Sequence, residues 1–186
     1  IMESAASEIM VYEAQLVPDL LQTEAYARAL AAAEPGYIVT EPREDAVAAM
    51  AVRRQVALSG MSAGPPGRRL WVVLGEGALH QAVGGPGVLA GQISHLIQLG
   101  ADVPDLTIQV LPFAAGAHAA AGSGSLAILR FPDAPSLGVV YLEALSGGVY
   151  LESQAEVARY IRAFALLRAA ALSAADSLRL PRSLPG

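Results

Sequence analysis

Three histidines and no cysteine define the side chains of this sequence best suited to metal or proton chemistry. His80 follows Glu76 by four residues in EGALH, a spacing that turns a carboxylate and an imidazole to one face of a helix. Such a pair can ligate a metal, but the H-E-x-x-H arrangement is absent and no thiolate can complete a site. His95 lies in QISHLIQL, which has the apolar spacing of an amphipathic helix. His118 sits in AGAHAAAG, where small neighbours let a ligand or another backbone come close. These residues predict no metal and no cofactor, and they leave His118 as a binding-loop candidate.

The carboxylates offer a second constellation. The tripeptide YLE occurs at Tyr141–Glu143 and again at Tyr150–Glu152, on two short segments joined by Gly147-Gly148. A hairpin of the two would bring Glu143 and Glu152 together as an acid/base pair. The simpler expectation is that each strand buries its leucine and shows its glutamate to water.

Arg53-Arg54-Gln55 is basic but lies beside an acidic N-terminal region, so ion pairs within the chain are expected there. Arg68-Arg69 precedes Trp71, which allows a cation over an indole.

Other chemistries are excluded. All 12 basic residues are arginine, so a Schiff-base lysine and a phosphate-loop lysine are both impossible. No G-x-G-x-x-G occurs between a strand and a helix. No catalytic residue is therefore assigned. Residues 1–50 hold nine acids against two arginines, net −7, and residues 51–186 hold eight acids against ten arginines, net +2. Such a chain does not attract phosphate by itself.

The elements that would position these groups follow from pattern. Helices are expected over Glu3–Glu13, Thr23–Ala33 and Glu44–Ser59, with Asp19 or Thr23 as a cap for the second. The loop GMSAGPPGRR over Gly60–Arg69 divides this helical part, residues 1–60, from an α/β part, residues 69–180. Leu70–Leu74 reads as a buried strand, Glu76–Ala82 as a short helix and Val88–Leu99 as an amphipathic helix. Leu106–Leu111, Leu126–Phe131, Gly138–Glu143 and Val149–Glu152 read as strands. Gln154–Leu172 is a long helix with Val157, Tyr160, Ile161, Phe164 and Leu167 on one face, and Ser173 caps a last short one. The fold class is α+β: N-terminal helices, then a mixed sheet of four to five strands with packed helices and a long C-terminal helix. Apolar runs too short to cross a bilayer, together with a polar start, lead to a cytoplasmic expectation.

Seven stretches together carry a resemblance. They are LVPDLLQTEAYARAL (16–30), VRRQ (52–55), LGEGALHQAVGG (74–85), QISHLIQL (92–99), TIQVLPFAAGAHAAAG (107–122), VVYLEALSGGVYLE (139–152) and FALLRAAALSAADS (164–177). In this order the chain resembles the C-terminal domain of actinobacterial XRE-type helix-turn-helix regulators, often described as antitoxin-like. The resemblance implies a ligand- or partner-sensing domain that forms a homodimer. It implies a small-molecule effector or a small partner protein, and no membrane partner. DNA would be met only through an N-terminal head that this chain lacks. The family carries no established catalytic residues. Positions that fit its pattern and would line a cleft between helices and sheet are Gln22, Tyr26, Arg54, Gln55, Trp71, Glu76, Gln92, His118, Tyr141 and Glu143. The alternative expectation is a biosynthetic-cluster enzyme on the same fold, using His118 or Glu143 and Glu152 as acid and base.

Overall fold

The segment expected to open the chain as a helix, Glu3–Glu13, instead supplies the strand at the heart of the sheet. A computed structural model describes residues 5–33, 68–122, 124–132, 138–144 and 147–180. In it Glu8–Glu13 is β1, with its four inner residues, Ile9 to Tyr12, all buried. β-Branched and aromatic side chains favour the pleated surface. A run that is apolar on both faces has no period by which a strand can be told from a buried helix. Residues 1–60 are therefore not an all-helical unit. The helix expected over Glu44–Ser59 lies outside the described residues.

The other strands are β2 (Arg69–Gly75), β3 (Leu106–Leu111), β4 (Leu126–Arg130), β5 (Val139–Ala144) and β6 (Gly147–Leu151). They form one sheet in the order β3-β2-β1-β4-β5-β6, six strands where the sequence pattern predicted four to five. β1 pairs parallel with β2, and β2 parallel with β3. On its other side β1 pairs antiparallel with β4, and β4, β5 and β6 continue antiparallel. Strand direction thus reverses at β1, the element that sequence reasoning missed.

Helices cover both faces, α1 being Glu24–Ala33, α2 Pro86–Asp102, α3 Gln154–Ala170 and α4 Ala174–Ser177. One face presents Ile9, Val11, Leu70, Val72, Leu74, Leu106, Ile108 and Val110 to Leu20, Leu21, Tyr26, Leu79 and Leu96. The other presents Met10, Tyr12, Val73, Leu126, Ile128 and Val140 to Val157, Phe164 and Leu167 of α3. This odd–even division along each strand is the two-residue period of a sheet sandwiched between helices.

Local capping follows the sequence. Thr23 Oγ1 accepts from the Tyr26 amide at 3.2 Å, and Ser173 Oγ accepts from the Asp176 amide at 3.1 Å. Each satisfies an amide that the first turn of a helix leaves unpaired. Past α3, the Leu172 amide donates to Val110 O at 2.9 Å and Ser177 Oγ accepts from the Val110 amide at 2.8 Å. Those bonds occupy backbone groups that the outer edge of β3 would otherwise expose. No helix among the described residues is long and apolar enough to cross a membrane.

Candidate functional site

The carboxyl ends of β1, β2 and β3 lie at one edge of the sheet, where β1 separates the parallel from the antiparallel half. In open, mostly parallel sheets ligands bind outside the carboxyl ends of strands where the strand order reverses, and here the order β3-β2-β1-β4-β5-β6 reverses at β1. Polar groups gather there on both sides of β1.

On the α1 side stands Glu13, the last residue of β1. Register puts it in a row with Ser125 and Glu143, because Tyr12 pairs with Leu126 and Leu126 with Leu142. The Ser125 hydroxyl donates to Glu13 Oε2. Burial pushes the Glu13 carboxyl up to about 7; the Ser125 bond opposes that rise, and the Glu143 and Asp19 charges add to it. A carboxyl poised there switches between proton donor and acceptor near neutrality. Tyr26 is pushed up by burial, with the Val17 amide bond opposing and the Glu13 charge adding.

On the α3 side stands Tyr12. Its hydroxyl lies 3.5 Å from His118 Nε2, and the two rings meet edge to face with centroids 5.7 Å apart. The Ala120 amide donates to His118 Nδ1 at 3.3 Å, so the neutral ring carries its proton on Nε2, facing the tyrosine. Burial, and then the Glu13 charge, push the Tyr12 hydroxyl up.

Glu76 ties two of the edge loops together. Its Oε2 accepts from the Phe113 amide at 2.7 Å, and its Oε1 lies 3.5 Å from His80 Nε2. The His80 ring stacks on Phe113, which is 67% exposed. The expected pairing of Glu76 with His80 is present, on the 3-10 turn Glu76–Leu79 rather than on an α-helix. Among the described residues no group of three or more histidines and acids could hold a metal.

Three expected cleft residues lie in the interior instead. Gln92 is 0% exposed; its Oε1 accepts from the Thr23 amide at 2.6 Å and its Nε2 donates to Leu21 O at 2.8 Å. Gln22 is buried, with Nε2 donating to Val17 O at 2.8 Å. Tyr26 is 0% exposed, and its hydroxyl accepts from the Val17 amide at 3.3 Å. Each side chain serves backbone groups of the turn between β1 and α1, which the fold buries and which need partners. Arg54 and Gln55 lie outside the described residues.

The two YLE tripeptides do form a hairpin, but its register parts the acids. Tyr141 faces Tyr150 with ring centroids 5.0 Å apart, and Glu143 pairs with Gly148. Glu152 is four residues beyond that partner, roughly 13 Å along the strand. An acid/base pair of Glu143 and Glu152 does not assemble, because identical tripeptides on antiparallel strands run in opposite directions.

Trp71 meets a different arginine from the ones its sequence neighbourhood suggested. Arg69 pairs with Glu8 at 3.4 Å and Arg68 Nε donates to Ala6 O at 3.3 Å. Arg168 of α3 lies over the indole, its Cζ 3.3 Å from the ring centroid. Sequence reasoning also missed Glu13, Ser125, Tyr12 and Gln109. The bond between Ser125 and Glu13 joins positions 112 residues apart, and no local pattern signals it.

Fold and edge geometry together define an α+β domain with a mixed sheet between helices and polar groups clustered where strand direction reverses. The chain belongs to the family described as a domain of unknown function, DUF5753, whose profile matches residues 1–182. No curated protein and no solved structure matches it.

Proposed function

We propose that this chain is the sensing half of a transcriptional regulator, binding a small-molecule effector or a small partner protein without chemical turnover. The observation that carries the reading is the Glu13 carboxyl, set at the carboxyl end of the central strand beside Ser125 and held near neutrality by burial. Such a group recognises a hydroxyl or amine by donating or accepting as the ligand requires. Tyr12 with His118, and Glu76 with the Phe113 amide, supply further polar contacts around the same edge.

The regulatory half of the reading rests on the resemblance of the quoted stretches to the C-terminal domains of XRE-type regulators. The electronegative composition suits it, since such a domain leaves DNA to a separate basic module. Occupation of the edge would act by favouring one arrangement of a dimer over another, which requires a ligand with different affinity for the two.

Chromatin immunoprecipitation of the complete gene product in its host tests the reading. Enrichment at a few discrete promoters is expected, with Glu13→Gln altering transcription there while the protein level holds. Absence of discrete sites overturns it. Two accompanying expectations are that the 186-residue chain sediments as a dimer and does not retard DNA on its own.

A further inference from the structure

Trp71 is the only tryptophan of the chain, and it lies on the α3 side of β2, away from the carboxyl edge. Its indole is fixed in place. Nε1 donates to Gln109 Oε1 at 2.8 Å, and Gln109 Nε2 donates to Leu172 O at 2.7 Å. Arg168, in the last turn of α3, stacks its guanidinium on the indole face. The Arg168 Nε is sealed from solvent without a hydrogen-bond partner. Among the described residues no carboxylate pairs with this guanidinium.

Beside the stacked pair opens a cleft of about 410 Å³, lined by Trp71, Gln109, Ala165, Arg168 and Ala169. It is shallow and largely open to solvent, so it would cover one side of a small ligand. The lining holds one cation and no acid. Its hydrogen-bonding amide, Gln109, is already engaged on both sides by Trp71 and Leu172. What remains is a guanidinium fork against a flat apolar wall of indole and alanine methyls.

We infer that this cleft binds a small aromatic carboxylate. The carboxylate meets the terminal nitrogens of Arg168, whose planar fork matches its two oxygens. The ring of the ligand lies against Ala165, Ala169 and the edge of Trp71. A single arginine balances one negative charge, and the carbonyl end of α3 close by opposes any anion, a dianion such as phosphate more than a carboxylate. The site is independent of the regulatory reading and of the Glu13 edge.

Trp71 emission reads the cleft directly, because no other tryptophan contributes. Benzoate is the probe, with benzyl alcohol, acetate and inorganic phosphate as comparisons. A saturable change with benzoate is expected, without saturation by the other three over the same concentrations. Loss of a charge-assisted pair weakens benzoate by at least about tenfold in Arg168→Met. Ala165→Glu sets a carboxylate three residues before Arg168 on an exposed helix position, where it occupies the fork from within and leaves the core untouched. It is expected to abolish the response. The inference is overturned by no saturable response to benzoate, by an equal response to any of the three comparison compounds, or by an unaltered benzoate response in Ala165→Glu.

Discussion

The Ser125 hydroxyl donates to the Glu13 carboxylate across the boundary between β4 and β1, the point where the parallel half of the sheet meets the antiparallel half. Burial outweighs that bond and holds the carboxyl at about 7, against an ordinary value of 4.5. Below pH 4.5 folded and unfolded chains both carry the proton, and the group costs nothing. Between 4.5 and 7 the unfolded chain releases its proton first, so stability falls as pH rises; above 7 the loss is complete. Glu13→Gln is therefore expected to match the parent at pH 4 and to exceed it by about 1–3 kcal/mol at pH 8. Urea unfolding at pH 4, 6 and 8 measures this, and a difference that stays constant with pH contradicts it.

Gln92 satisfies the Thr23 amide and the Leu21 carbonyl from α2, and so fixes the turn that leads into α1. Gln92→Leu keeps most of the volume but leaves both backbone groups buried without partners. Stability should fall by about 2–4 kcal/mol. Amide hydrogen exchange is expected to rise first around residues 21–27, ahead of the sheet. Unchanged exchange in that segment would remove Gln92 from this role.

Phe164 is 1% exposed and centres the contact of α3 with the sheet. Phe164→Ala should cost about 3–5 kcal/mol, the transfer loss plus the cavity left behind. Thermal unfolding measures the cost. A loss under about 1 kcal/mol would mean that α3 does not rest on this ring.

Gly75 ends β2 where it passes the turn after β1. A Cβ there would stand 2.5 Å from the Ala14 carbonyl oxygen, a backbone atom with little room to retreat. Gly75→Ala is expected to destabilise by about 1–3 kcal/mol through overpacking. Gly87→Ala is the control: nothing lies within 4 Å of its Cβ and it sits in the first turn of α2, so it should be neutral or slightly stabilising. Equal effects at the two positions would show that the close approach to Ala14 is not what matters.

Much of the fold was legible because its signals are local. The apolar run at Leu70–Leu74, the alternation at Leu106–Leu111 and the caps Thr23 and Ser173 each depend on a few neighbouring residues. The pairing of Glu76 with His80 was legible for the same reason, since residues four apart meet through one turn of chain.

β1 was not legible, because a strand buried on both faces shows no period and takes its identity from β2 and β4. The residues expected in a cleft met the same limit. Gln22 and Gln92 are polar, and polarity alone does not tell a ligand contact from a brace for buried backbone.

The amino-acid sequence by itself determined which segments are strands or helices wherever one face is apolar, which functions lack their residues, and the excess of negative charge. The tertiary structure alone decided the meetings across long stretches of chain: Ser125 with Glu13, Arg168 rather than Arg69 on Trp71, and Tyr141 opposite Tyr150 with the glutamates turned apart. The reason is physical: periodicity and capping are energies of neighbouring residues, whereas register and burial are fixed only when distant strands close the sheet around them.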